Sequence, residues 1–536
     1  MKKRILGLVL AGSMLIGAFA ACAPPPAPAP TPAPAQQAPA AGTTPAAPAP
    51  GTAPAAAADA RPVGPGFTIA VNQETPTLAP GRHGTVHGHW KNIQTHNGLF
   101  RNAEDMNPAP DLITGWTALS DVLFEFTLHE GIMFHNGEEL TAYDVVASLE
   151  FMRQFPEGAG QRTAVQSGEV IDRYTFTLYT GTPNALLFNE LAHHANFILP
   201  LSLMEVGNDF NENPIGSGPF VFEEWRAGDF LSFSRFDNYF DADRTARVEY
   251  INWRVIPEGA SRTIALETGE VDYVAHVAFP DIPRLRENQN ITVLEIPGAR
   301  ISYMLFNHTL PEFQDVYLRR VIDMAICRDS VVLAAFDGWG VPMIQQFPPE
   351  LPGSSSVGTR GFDPEGAIAL MAERGINPAE IEIDILFIAE EQRRKVEVVQ
   401  ANLADIGIAI TISQIDLGGW LSTTNAAQHQ LTTSTFTPGS LLGFLRATLH
   451  RDALGAQNWS HLNDEAFSAL IDQAIATIDI DARTALLYEI TTIANEQVFW
   501  IPTNMDVAVR AFDSRLVQPE FSGNGNMFLN MIYWAE

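Results

Sequence analysis

Cysteine is nearly absent: Cys22 and Cys327 are the only two among 536 residues, which excludes a disulfide framework unless those two pair. Basic residues are scarce as well, with Lys+Arg at 32 against Asp+Glu at 62 and a formal charge of −30. A nucleic-acid partner requires a basic face to neutralise phosphates, and this composition argues against one. No long apolar run follows residue 61, so the body of the chain carries no membrane-spanning segment legible in sequence. No fixed-period repeat is visible. The pattern GxSxG is missing, and Gly216-Ser217-Gly218 is no nucleophile elbow. Asp209-x-Asn211-x-Asn213 opens like a calcium loop, but Pro214 takes the required glycine position and Phe220 the bidentate glutamate position. The chain is therefore expected to be neither an enzyme nor the holder of a cofactor or metal.

What is present is core material. Apolar residues make up 46% and aromatics 10%, which excludes disorder for the bulk of the chain, and the length suggests two to four folding units. Lys2, Lys3 and Arg4 precede an uncharged apolar stretch from Ile5 to Ala21, the pattern of a secretory signal over residues 1–21. The run Phe19-Ala20-Ala21-Cys22 resembles a bacterial lipobox, with Cys22 as the expected lipidation site; an uncleaved membrane anchor is the alternative. Residues 22–60 form a tether dominated by Pro and Ala, suited to extended polyproline II. The body is thus expected outside the cytoplasm, lipid-anchored to the cell membrane and periplasmic if an outer membrane exists. Cys327 is then expected as a lone buried thiol.

Within the body, β-rich runs occur at Phe67–Val71, Phe124–Leu128, Tyr174–Leu178, Tyr250–Ile256, Ile291–Ile296 and Glu382–Ile388. Thr141 and Asp144 predict a capping box, with Val145, Leu149 and Met152 on one helical face. Asp363 before Pro364 predicts a helix start. Residues 382–415 read as strand, helix (390–403), Gly407 and strand, a βαβ unit. The last helix is predicted at 481–497. These elements make the fold class mixed α/β.

Eight segments, in order, resemble those of family-5 extracellular solute-binding proteins, the receptors of ABC importers for peptides, nickel and related solutes. They are Asn97–Phe100, Pro110–Trp116, Phe124–Glu150 (FEFTLHEGIMFHNGEELTAYDVVASLE), Ile215–Phe220 (IGSGPF), Leu266–Asp272 (LETGEVD), Asn307 with Arg319–Arg328 (RRVIDMAICR), Ile406–Ile408 and Ile501-Pro502. The resemblance implies a two-lobed periplasmic-binding-protein fold (Venus-flytrap, type II, cluster C) with an inserted subdomain in lobe I. Lobe I would combine 61–100, 195–300 and 504–536, the insert would be 101–194, and lobe II 301–503. Crossovers near Arg300–Asn307 and Trp500–Met505 would form the hinge. The implied partners are a small-molecule or peptide ligand and an ABC permease and ATPase complex, with the receptor itself a monomer.

The resemblance also points to two ligand-facing segments. In the first, Gly81 to Asn92, four histidines counting His96 fall within fourteen residues. His87, His89, Trp90 and Asn92 are candidates there for a ligand platform, with a solvated glycine-rich loop as the alternative. In the second, peptide-binding members carry a W-x-x-D-Y run whose aspartate pairs with the peptide amine. Here Thr432–Gly439 has no aspartate, and Ser434, Thr435, Phe436 and Thr437 suit a neutral or anionic ligand, since a buried ammonium without a counter-charge costs several kcal/mol. Arg300 and Arg446 are candidates for a ligand carboxylate, and Tyr303, Trp339 and Trp420 are further aromatic candidates that fit a core role equally. The reading is capture of a small polar, peptide-like solute; the alternative is a nickel or metal-chelate receptor.

Overall fold

In the computed structural model the chain divides into residues 1–55 and 56–536. The structure describes residues 63–75, 77–83, 86–103, 107–155, 163–296, 300–388, 390–437, 439–455, 457–518 and 525–535. The signal segment, the tether and the Cys22 lipidation site lie outside the described residues. Among those described, no helix is long and apolar enough to cross a membrane.

The strands gather into three main sheets. One has seven strands, in the order Ile291–Ile296, Ala508–Asp513, Tyr273–Val274, Phe67–Val71, Tyr250–Val255, Phe230–Arg235 and Phe220–Arg226. Its centre, Phe67–Val71, runs parallel to both neighbours, while the outer pairs are antiparallel. Four of the five residues of Phe67–Val71 are buried, as expected of a strand covered on both faces. A second sheet has six strands, in the order Gly340–Pro342, Trp500–Asp506, Ile301–Phe306, Leu431–Phe436, Glu382–Phe387 and Ala409–Gln414. The third is a four-stranded antiparallel sheet in the order Ile113–Ser120, Leu123–Leu128, Thr175–Tyr179 and Ser167–Val170.

Local chemistry explains the element ends. The Thr141 backbone N–H donates to Asp144 Oδ2 at 2.8 Å, the capping box that starts the helix Ala142–Phe151, and Val145, Leu149 and Met152 are all buried. Asp363 Oδ1 accepts from Gly366 N at 2.8 Å and Pro364 fills the first position of Pro364–Arg374. Glu382–Phe387 and Ala409–Gln414 are parallel neighbours joined by the helix Glu390–Asp405, so the βαβ unit is present. Gly407, at φ 88°, makes the turn that only glycine enters without strain. The last long helix, Ile480–Gln497, begins one residue earlier than predicted because Asp479 caps it through Ala482 N at 2.8 Å.

Two chain passages link the large sheets. Strand Ile291–Ile296 leads to Ile301–Phe306, and Trp500–Asp506 leads through Val507 to Ala508–Asp513. Within each sheet the two members of the crossover are antiparallel neighbours. The second crossover therefore falls at Val507, just beyond the expected 500–505. Arg328 anchors the strand before it. Its Nε donates to the Pro502 carbonyl at 3.2 Å, and its guanidinium pairs with Asp323, both side chains being buried. Cys327 beside it is buried, its sulfur accepting from Ser330 Oγ at 3.1 Å.

Candidate functional site

From Val86 onward the histidine-rich segment is the helix Val86–Thr95, not a solvated loop, with His87, Trp90, Lys91, Asn92 and Gln94 all buried. Glycine makes the packing possible. At Gly216 and Gly218 a Cβ would come within 2.2 Å and 2.4 Å of Thr95 backbone atoms, so the IGSGPF turn meets the helix end backbone to backbone. The rings of His83 and His194 stack at 4.4 Å, and those of His89 and His193 at 5.7 Å. Asn92 Oδ1 receives His83 Nε2 at 3.0 Å.

Burial, reinforced by Lys91, pushes His83 down to about 4. Burial, reinforced by Arg262, does the same for His87, and burial with His83 for His193. His89 and His276 are held well below the ordinary imidazole range, chiefly by burial. These rings are neutral at pH 7, able to donate and accept hydrogen bonds but carrying no charge. Among the described residues no three His, Cys, Asp or Glu side chains converge as a metal site.

The second segment is the strand Leu431–Phe436, opposite Ile301–Phe306. Thr432, Thr433 and Ser434 are buried while Thr435, Phe436 and Thr437 are partly exposed at its end. Ser434 pairs with Tyr303, Thr435 with Ser302 and Phe436 with Ile301. Phe436 stacks flat on Phe444 at 4.5 Å. Tyr303 is 1% exposed and stacks on Trp500 at 5.1 Å; burial pushes its phenol up, although Ser434 hydrogen-bonds to it.

A polar chain runs along the crossovers between these segments. His87 Nε2 contacts Asn72 Oδ1 at 2.9 Å, and its ring lies 5.4 Å from that of His276. Arg262, itself buried, donates to the carbonyls of Ile256, Pro257 and His276 and so fixes the His276 loop. Arg300, whose charge is felt at His276, lies 3.4 Å from Asp506 Oδ2. Asp506 also accepts from Ser302 Oγ at 3.2 Å and Asn504 Nδ2 at 2.8 Å, and burial raises its pKa despite Arg300 and Lys395. Ser302 stands opposite Thr435, so the chain reaches the second segment.

The remaining candidates have other partners. Trp90 is 5% exposed and packs in the core of the seven-stranded sheet. Trp420 is buried, with Nε1 donating to Thr432 Oγ1 at 2.7 Å and its ring edge-on to Trp459. Trp339 lies under the Arg286 guanidinium at 4.8 Å. Arg446 pairs with Glu190 at 2.9 Å. His276, Asp506 and Asn72 were not singled out from the sequence. Each is an isolated residue in an unremarkable stretch, and its partners lie at remote positions in the chain.

Paired crossovers between two α/β sheets define a two-lobed periplasmic binding protein of type II. Residues 107–444 match the family model for bacterial extracellular solute-binding proteins, family 5 (middle region), and the chain belongs to that family. It is 26% identical over 438 residues to the glutathione-binding protein GsiB of Salmonella paratyphi A, covering 78% of this chain and 85% of that one. Among solved structures, it superposes on the periplasmic binding protein DppA of Helicobacter pylori, bound to the peptide STSA, with a TM-score of 0.78 and 22% identity over 89% of this chain and 99% of that one. NikA of Staphylococcus aureus, bound to Ni(L-His)2, gives a TM-score of 0.72 and 21% identity over 86% and 98%.

Proposed function

We propose that the protein is the extracytoplasmic substrate-binding component of an ABC importer, with no enzymatic activity, and that it captures a small polar, peptide-like solute between its lobes. The observation that carries this reading is the side-by-side pair of crossovers at 296–301 and Val507. Two adjacent strands absorb a hinge rotation, and a ligand that touches both walls only in the closed state drives closure. Sheet membership supports lobe I as 61–100 and 195–300 with the chain beyond Val507, lobe II as 301–506 rather than 301–503 because Trp500–Asp506 belongs wholly to the six-stranded sheet, and the four-stranded sheet as the insert at 101–194. The permease and ATPase complex would read the closed form, and Cys22 would carry the lipid that keeps the monomeric receptor at the membrane.

His87, Arg300, Ser434, Thr435, Phe436 and Thr437 are the contacts we assign to the ligand, with His276 added. The ligand is neutral or anionic, because Leu431–Phe436 contains no carboxylate and Asp506 is already engaged by Arg300, Ser302 and Asn504. That glutathione- and peptide-binding proteins are similar along most of their length supports a peptide-like solute.

Native mass spectrometry of protein purified from its own host tests the reading. A bound organic mass of peptide size is expected; protein that carries none, and binds none of a di- and tripeptide panel in calorimetry, sinks it. Equilibrium dialysis against nickel, with and without histidine, addresses the metal-chelate alternative, for which retention by the wild type and loss in His87→Ala/His89→Ala is the required result. Labelling with a fatty acid that disappears in Cys22→Ala tests the anchor.

A further inference from the structure

Arg510 sits in the strand Ala508–Asp513 and is 1% exposed. Its Nη2 donates to the Gly525 carbonyl at 2.7 Å, but Nε and Nη1 are buried without a protein acceptor. Among the described residues it has no carboxylate partner. A guanidinium cannot shed its proton to escape burial, and a buried charge without a counter-charge costs several kcal/mol. Water satisfies the N–H groups but leaves the charge.

Other donors without acceptors surround it. The guanidinium carbon lies 5.7 Å from the centre of the Trp90 ring, and Trp90 Nε1 is buried with no partner. The His276 ring stacks on Trp90 at 5.3 Å, with Nδ1 likewise unpartnered. Beside burial, the positive charges of Arg262, Arg510 and Arg300 hold His276 down. Gln94 donates through Nε2 to the carbonyls of Trp90 and Met527, which leaves its Oε1 as the single acceptor without a donor nearby. The Tyr273 hydroxyl, which donates to Gln518 Oε1 at 2.6 Å, also bonds with Arg510 but brings no negative charge, so in a chain of net charge −30 the described residues at this spot supply no counter-charge.

We infer that the sheet face beneath the helix Val86–Thr95 holds a small inorganic anion of halide size, with Arg510 as counter-charge and Trp90 Nε1 and His276 Nδ1 as further donors. Arg510 and Trp90 are sealed from bulk solvent, so the occupant is a small ion resident in the fold and distinct from the transported solute. The anion ties three separate stretches together, namely the helix through Trp90, the strand Ala508–Asp513 through Arg510 and the loop that carries His276.

The test uses the full chain in sodium gluconate, sodium chloride or sodium bromide at equal ionic strength. Halide is expected to raise the melting temperature by a few degrees in a saturable way, as for any ligand of the native state, and Arg510→Met is expected to abolish the dependence while Arg510→Lys keeps part of it. Crystals of the wild type soaked in bromide are expected to give an anomalous peak within hydrogen-bond reach of Arg510 and Trp90 Nε1. That peak decides the matter even if Arg510→Met fails to fold. No peak there overturns the inference, and so does a halide dependence that survives in Arg510→Met.

Discussion

The His83 imidazole rests on the bare backbone of Gly88: a Cβ added to Gly88 would lie 2.4 Å from the ring. The ring cannot step aside, because His194 stacks on it at 4.4 Å and Asn92 holds Nε2 at 3.0 Å. Alanine in place of glycine inside a helix ordinarily adds about 0.5–1 kcal/mol of stability. Here Gly88→Ala is expected to destabilise by about 1–3 kcal/mol, the range for overpacking, in urea unfolding. His83→Ala in the same chain should restore the helix-propensity gain relative to His83→Ala alone. A Gly88→Ala protein as stable as the wild type would mean that the ring is free to move.

Trp90, a ligand-platform candidate in the sequence, packs with the core of the seven-stranded sheet. Trp90→Ala is therefore expected to cost about 3–5 kcal/mol of folding free energy, as for other large buried aromatics. The denaturant midpoint should fall accordingly. An unchanged midpoint would show that the indole is not part of the core.

Much of the architecture was legible because its signals are local. A capping box, a Pro at the first helical turn and a glycine between helix and strand each act within a few residues, which is why Thr141–Asp144, Asp363-Pro364 and Gly407 read correctly. The site was less legible. Whether Trp90 faces a cleft or a sheet depends on the orientation of a helix that the glycine-rich run does not announce. His276, Arg300 and Asp506 become neighbours only through the crossovers, and nothing in the residues around His276 signals it. Arg446 shows the same limit: its partner Glu190 lies 256 positions away.

Arg446 and Glu190 join residues of the proposed lobe II to the proposed insert, beside the backbone bond from Ala185 N to the Ile475 carbonyl at 2.8 Å. An arginine this exposed contributes about 0–1 kcal/mol through its ion pair. Arg446→Ala should thus leave the urea midpoint nearly unchanged and alter the affinity for the native solute less than tenfold in calorimetry. A loss well beyond tenfold, with folding intact, would return Arg446 to the ligand site.

The buried histidines set a pH window with a definite sign. His83, His87 and His193 titrate near 4 in the fold and near 6.5 in the unfolded chain. Between those values the unfolded state binds protons that the folded state refuses, so stability is full above about pH 6.5 and falls as the pH drops toward about 4. Each ring contributes a slope of up to about 1.4 kcal/mol per pH unit. The carboxyls of Asp323 and Asp506, raised by burial, act in the opposite sense, so the histidine share is read from variants. His87→Gln, which keeps a polar contact to Asn72, should flatten the urea-midpoint profile between pH 6.5 and 4 by about one proton. A wild-type profile already flat across that range, or a His87→Gln profile parallel to it, would show that these rings take up protons without unfolding.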